Sequence, residues 1–303
     1  MERNVRAMLT RRGFSAVMGT LLAGGVTARP GILLAAPGSD GLAAKLAEVE
    51  RRLGARLGAA ILDTETGRQW RHRADERFPL CSTFKALASG AVLARVDAGQ
   101  EDLNRRIRFE ARDVVTYSPV TEGRTGGDGM TLAELCEAAV TRSDNTAGNL
   151  ILRSLGGPAA LTSFARSLGD TATRLDRWET ELNEATPGDP RDTTTPEAML
   201  ADLRLLVLGD RLSGPSRAQL AAWLVSNKTG DAKLRAGLPK DWRVGDKTGG
   251  GDHGTMNDVA VIWPPGRKPV IVTVYMTETA ASFADRNAGI AEIGRALHGA
   301  LTG

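Results

Sequence analysis

Phe78-Pro79-Leu80-Cys81-Ser82-Thr83-Phe84-Lys85 is where the chain changes character. Before it, Leu57-Gly58-Ala59-Ala60-Ile61-Leu62 is a short apolar run of strand length, Asp63 to Gly67 a turn, and Arg68 to Arg73 a returning strand. After it the spacing of apolar residues turns helical and stays so to about residue 224, with one interruption. Strands then return: Arg243 to Gly249, and a hairpin of Asp258 to Trp263 and Pro269 to Met276 around Pro264-Pro265-Gly266-Arg267. Leu42, Leu46, Val49 and Leu53 mark an amphipathic helix ahead of the first strand, and Ile290, Ile293 and Leu297 a closing one. The fold class is α+β: an antiparallel sheet flanked by terminal helices, plus an all-helical lobe. Residues 37–78 and 226–303 make the first lobe and 79–225 the second, with a site expected at the seam.

Within the helical lobe, Thr131-Leu132-Ala133-Glu134 is a capping box that opens an apolar helix carrying Leu135, Cys136, Ala139 and Val140. That helix runs into Arg142-Ser143-Asp144-Asn145, and a second apolar segment follows from Leu150. Small hydrogen-bonding residues wedged between two buried helices suit a tight polar loop. The interruption is Leu168 to Pro196, rich in charge, Pro and Gly and too long for an ordinary connection. Arg177 and Asp192 can pair and close it as an omega-type loop, 174–192. Helical segments Pro196 to Val207 and Ser213 to Leu224 complete the lobe.

The chain is 25% charged and 42% hydrophobic, an ordinary globular composition, and its 303 residues suffice for a sizeable core. Residues 1–36 carry five arginines against one glutamate, so without them the formal charge falls from +3 to −1. Nothing then favours nucleic acid or acidic membrane surfaces. Thr10-Arg11-Arg12-Gly13-Phe14-Ser15 followed by a Gly- and Ala-rich apolar stretch has the form of a twin-arginine export signal, with cleavage between 28 and 36. Glycines, Arg29 and Pro30 interrupt that stretch short of the ~20 apolar residues a span needs. A periplasmic or secreted protein is expected. Cys81 and Cys136 could pair in an oxidising compartment, although both fall in expected helices with apolar neighbours, which favours two buried thiols. His72, His253 and His298 lie far apart, and no metal site is expected.

A serine three residues before a lysine on a helix places hydroxyl and amine side by side, and an amine of lowered pKa can activate the hydroxyl. Alone, Ser82-x-x-Lys85 is a pattern that chance often produces, and a serine near a helix start is usually a cap or first-turn residue. Three more segments follow in order: Ser143-Asp144-Asn145, Glu179 to Asn183 inside the closed loop, and Lys247-Thr248-Gly249 on a strand. This set resembles that of the class A serine β-lactamases. The likeness extends over nearly the whole chain after the leader, through Tyr117-Ser118-Pro119, Arg177-Trp178-Glu179, Leu182-Asn183-Glu184 and Asp285-Arg286-Asn287.

The resemblance implies a hydrolase acting on the cyclic amide of penicillins and cephalosporins, and so antibiotic resistance. Ser82 would be the nucleophile and Lys85 its base or electrostatic partner. Ser143 would deliver a proton to the departing nitrogen, and Glu179 with Asn183 would hold the hydrolytic water. Amides of Ser82 and Gly250 would form the oxyanion hole, Asn145 would bond the substrate side chain, and Tyr117 would form a wall. Lys247 and Thr248 would meet the substrate carboxylate, with Gly249 and Gly250 allowing close approach of the strand. No cofactor is implied, the partners are small-molecule β-lactams, and the family is monomeric.

The chain departs from the family's commonest pattern at four places. Thr180 stands where many members have a proline after a cis bond, and the geometry of Glu179–Thr180 is open. Met256 replaces a strand arginine, so Lys233 is the remaining candidate for a second positive group at the substrate carboxylate. The usual bridge partners of Cys81 and Cys136 read as Gly251 and Ser89, which implies two free thiols. Asp252 and His253 flank the expected pocket. Two alternatives share much of the pattern: a D-alanyl-D-alanine peptidase and a non-catalytic β-lactam sensor. Neither gives a reason for Glu179 and Asn183 to stand together in a closed loop.

Overall fold

In the computed structural model, which describes residues 39–303, the chain opens with helix α1 (Ser39–Leu53), strands β1 (Arg56–Asp63), β2 (Gln69–His72) and β3 (Phe78–Pro79), and helix α2 (Phe84–Asp97). Strands β4 (Arg106–Ile107) and β5 (Met130–Thr131) precede helices α3 (Leu132–Thr141), α4 (Asn145–Leu155) and α5 (Pro158–Leu168). Strand β6 (Thr193–Thr194) leads to helices α6 (Pro196–Leu203) and α7 (Gly214–Val225), and the chain closes with strands β7 (Arg243–Gly250), β8 (Met256–Trp263), β9 (Val270–Thr277) and helix α8 (Phe283–Thr302). The export signal expected in residues 1–36 lies outside the described residues.

The main sheet has the order β2-β1-β9-β8-β7 and is antiparallel throughout. Strand residues alternate between two cores, as a pleated strand buried on both faces requires. Leu57, Ala59, Ile61, Val272, Val274 and Met276 pack with Leu42, Leu46 and Val49 of α1 and Ile290, Ile293 and Leu297 of α8. Ala60, Leu62, Val259, Val261, Ile271 and Tyr275 face the opposite way and join the core of the helices between α2 and α7.

Caps set the helix starts. The Thr131 hydroxyl accepts the Glu134 amide at 3.1 Å and the Glu134 carboxylate accepts the Thr131 amide at 2.7 Å, the capping box read from sequence. Asp144 caps α4 through the Ala147 amide at 2.8 Å, and also accepts the amides of Val120 and Thr121 at 2.9 Å each. One buried carboxylate thereby fixes both the start of α4 and the loop bearing Tyr117.

The structure corrects the sequence reading in three places. The helical region is interrupted by two-residue ladders, β3 against β6 and β4 against β5. Segments that short show no alternation. The helix expected over Pro196 to Val207 widens into a π-helical turn at Arg204–Leu208. Cys81 lies in a 3₁₀ turn, Cys81–Thr83, ahead of α2 and not in the helix itself.

Candidate active site

Ser82 sits in that 3₁₀ turn and Lys85 in the first turn of α2, so the two side chains share a face. The Lys85 ammonium is fully buried and lies 2.9 Å from Ser82 Oγ, 2.9 Å from the Ser143 carbonyl, 2.7 Å from Asn145 Oδ1 and 2.9 Å from Glu179 Oε1. Four oxygens around three N–H groups leave the Ser82 hydroxyl hydrogen free to turn toward Glu179, whose Oε1 is 3.4 Å away.

Glu179 enters from the closed loop and is 4% exposed. Asn183 Nδ2 donates to its Oε2 at 2.5 Å. Its backbone is pinned on both sides by Asn149 of α4: Nδ2 donates to the Glu179 carbonyl and Oδ1 accepts the Glu179 amide, each at 2.9 Å. Sequence reasoning passed over Asn149. Its only signal was an amide side chain in an apolar helix, where a solvated asparagine is the commoner reading. The Glu179–Thr180 peptide bond is cis. Arg177 Nε meets Asp192 Oδ2 at 2.6 Å, while Asp192 Oδ1 accepts the amides of Asp176 and Arg177 at 2.7 and 2.9 Å. The expected closing pair therefore joins the two ends of the loop.

On the opposite side, β7 brings up Lys247, whose buried ammonium donates to Ser143 Oγ at 3.0 Å and to the Thr248 carbonyl at 2.8 Å. Burial first, and then the nearby Lys85 charge, push the Lys247 ammonium well below the usual lysine range. The Thr248 hydroxyl is 2.6 Å from that of Thr229. Gly249 lies against Asn257 and the Leu80 carbonyl, and Gly250 is exposed at the end of the strand. At Gly251 a Cβ would fall 2.5 Å from the Asn183 carbonyl and 2.8 Å from Cys81 Sγ. Only glycine lets β7 run this close to the loop.

Three of the left-handed non-glycine residues are Cys81, Tyr117 and Ser143, with φ of 43°, 63° and 58°. Backbone of that kind holds only where surrounding contacts fix it; here Cys81 precedes Ser82, the Ser143 carbonyl accepts from Lys85, and the Tyr117 carbonyl accepts the Asn145 amide. Tyr117 is 58% exposed at the rim. Asn145 is committed to the protein at both ends, through Lys85 and, at 2.9 Å, the Thr116 carbonyl. One Nδ2 hydrogen remains for a ligand.

Lys233 is not at the open surface. It is buried, with Nζ 3.4 Å from the Thr229 carbonyl and 5.6 Å from the centre of the Phe283 ring. It thus reaches Thr248 only through Thr229. Burial lowers its pKa, against the pull of Asp258 and Asp246. Met256 is core. Cys81 and Cys136 are buried free thiols, and burial pushes both pKa values up, which leaves them unreactive. Asp252 borders a cavity of about 660 Å³ with Thr180, Glu181 and Asn183, and Ser82 does not line it. His253 is exposed. Among the described residues no group of three or more His, Cys, Asp or Glu side chains could hold a metal ion.

Residues 41–301 match the Beta-lactamase enzyme family. The chain is 54% identical over 257 residues to Beta-lactamase AST-1 of Nocardia asteroides, covering 85% of this chain and 83% of the relative. It is also 54% identical to Beta-lactamase FAR-1 of Nocardia farcinica, covering 85% and 82%. Among solved structures, an ancestral class A β-lactamase (GNCA) is 67% identical with a TM-score of 0.84, over 85% of this chain and 98% of that one. The putative class A β-lactamase PenP from Rhodopseudomonas palustris is 61% identical with a TM-score of 0.84, over 86% of this chain and 99% of that one.

Proposed function

The chain belongs to the class A serine β-lactamase family and is a β-lactam hydrolase, and on that premise we propose that it works through an acyl-enzyme on Ser82 cleared by Glu179. The observation that carries the reading is the convergence of Ser82 Oγ, Lys85 Nζ and Glu179 Oε1 within 3.4 Å of one another.

Ser82 Oγ bonds to the lactam carbonyl carbon as its proton leaves to Glu179, or to Lys85 once Lys85 has passed one of its own protons to Glu179 across 2.9 Å. Charge on the carbonyl oxygen is met by the amides of Ser82 and Gly250. The C–N bond then breaks, and the nitrogen takes the Ser143 hydroxyl proton, which Lys247 replaces across 3.0 Å; the proton taken from Ser82 passes through solvent to restore Lys247, which leaves Glu179 a carboxylate again. A depressed lysine gives up that proton more readily than an ordinary one. In the second half Glu179, steadied by Asn183 and Asn149, takes a proton from water. The water oxygen bonds to the ester carbonyl, the Ser82 ester breaks, and Ser82 regains its proton. A positioned base of this kind is typically worth ~10²–10⁴-fold. Lys247 and Thr248 receive the substrate carboxylate, with Lys233 adding charge from behind Thr229. Asn145 offers its remaining Nδ2 hydrogen to the side-chain amide, and Tyr117 forms a wall.

A chromogenic cephalosporin followed by intact mass tests the scheme. Wild type should turn over continuously, and Glu179→Ala should stop after one acyl adduct on Ser82. Fast deacylation in that variant would remove Glu179 as the base.

The same reading takes in the rest of the chain. Residues 37–78 with 226–303 act as one lobe and 79–225, with its loop 174–192, as the other, meeting at Ser82. Penicillins and cephalosporins are the substrates, no cofactor takes part, and the enzyme works as a monomer conferring antibiotic resistance. The leader directs twin-arginine export to the periplasm or beyond. Fusing residues 1–36 to a folded reporter should carry it out of the cytoplasm, and retention would sink that part.

A further inference from the structure

Two buried carboxyls meet where the loop leaves the helices. Asp170, just after α5, is 7% exposed and Asp202, in α6, is 1% exposed. Asp170 Oδ1 accepts the amides of Ala172 and Thr173 at 2.6 and 2.9 Å, and so forms the turn into the loop. Asp170 Oδ2 and Asp202 Oδ2 are both buried, and neither has a donor in the protein. The two residues line the same cavity of about 360 Å³, and the Asp170 charge acts on the Asp202 carboxyl. As two anions they would repel in a poorly solvated place, whereas a single proton between them satisfies both oxygens.

The charged and titratable groups around them do not supply a substitute. Arg166 of α5 opposes the proton, but its Nη1 is engaged by the carbonyls of Asp170 and Thr173 at 2.5 and 2.8 Å. Arg77, before β3, holds the Ala172 carbonyl at 2.7 Å and Thr193 Oγ1 at 3.0 Å. Asp75 and Glu197 border the adjoining cavity of about 360 Å³ and add only negative charge, while Tyr275 of β9, also close by, is neutral.

We propose that Asp202 and Asp170 share one proton, and that this bond is a positioning device holding the entry of the Glu179 loop against α6. The entry is coupled to the exit by a Thr173–Thr194 hydroxyl contact at 2.6 Å, by the Arg174–Thr193 bridge and by Arg177–Asp192. A shift at Asp170 is therefore passed to the segment bearing Glu179. Ser82 and Lys85 stand outside the loop.

Burial, and then the charge of Asp170, push the Asp202 carboxyl up to about 9. Below that pH the proton is present and the loop is tied down. Above it the pair becomes two anions and the tie becomes a repulsion. Resting on the assignment of Glu179, this predicts that alkaline pH slows deacylation while acylation continues.

The test uses the full chain and the Asp202→Asn variant, whose amide can still donate to Asp170. Infrared difference spectra should contain a protonated carboxyl band that disappears with a midpoint near pH 9 and is missing in D202N. Single-turnover measurements should find wild type accumulating acyl-enzyme above that pH, and D202N deacylating normally at neutral pH and keeping its rate further into the alkaline range. In Asp202→Ala, which leaves Asp170 Oδ2 unpartnered, acyl-enzyme should build up already at neutral pH. The proposal is overturned if the band survives in D202N, or if wild type and D202N lose deacylation at the same pH. A band that titrates as expected, beside deacylation indifferent to Glu179→Ala, would leave the shared proton standing and remove Glu179.

Discussion

In the proposed scheme Lys247 meets two demands that fail together as pH rises: a positive charge for the substrate carboxylate and a proton for Ser143. Its ammonium is fully buried with Lys85 nearby, so it is held below the 10.5 of an ordinary lysine. The cation is present below the folded-state pKa and is lost as pH passes through it, sooner than on an exposed lysine. KM for a β-lactam bearing its carboxylate should therefore rise on the alkaline side, and KM for the corresponding methyl ester should not. Parallel profiles for the two substrates would show that Lys247 does not set recognition. Lys247→Ala removes charge-assisted bonds worth about 1.5–3 kcal/mol, a loss of roughly ten- to a hundredfold in kcat/KM. Ser82, Lys85, Ser143 and Lys247 were legible because each stands in a short motif whose spacing has a chemical reason. Asn149 and Asp144 act through backbone amides brought near by folding, and no local pattern announces that. Lys233 was half legible: its charge was visible, but its burial behind Thr229 was not.

The loop over Glu179 contributes through its closure more than its composition. The Asp192 side chain is 1% exposed and satisfied by two amides and Arg177. Removing the guanidinium leaves a buried charge partly uncompensated, at about 3 kcal/mol. Arg177→Ala should therefore slow the step that depends on Glu179 first, producing a burst of acyl-enzyme in rapid-quench experiments. Equal losses in acylation and deacylation would mean that the loop supports the whole cleft. Stability gives a second reading of the same element. Asp202 is raised from 3.8 to about 9 in the folded protein, so folding takes up a proton across that window and loses stability as pH climbs through it. Asp202→Asn has no such linkage. Its Tm should exceed that of wild type at pH 8, with the difference shrinking toward pH 4, and a constant difference would argue against the buried acid. The omega-type loop was readable from its length and from Arg177 and Asp192. Its stems were not, because β3 and β6 are two residues each and Asp170 looks like any loop aspartate.

At the scale of the molecule, the sheet is the shared wall of two cores. Alternation along β1, β8 and β9 sends Ala60, Leu62, Val259 and Tyr275 to the helices between α2 and α7, and Ile61, Ala260 and Val274 to α1 and α8. Apolar runs such as Leu57 to Leu62 marked buried strands. They could not show which residue faces which core, since register is set by pairing across distant strands. The arrangement has a thermodynamic consequence. Separate lobes with their own cores can unfold in steps. Here every strand residue lost from one core removes its neighbours' support from the other, and the described residues belong to one compact unit. Urea unfolding should accordingly be a single transition, followed at once by far-UV circular dichroism, which weights the helices, and by tryptophan fluorescence, with Trp70 and Trp263 on the sheet and Trp223 on α7. Coincident curves for the two signals are expected. A far-UV signal lost at lower urea than the fluorescence of a variant that keeps only Trp70 and Trp263 would mean that the helices between α2 and α7 fold on a core of their own.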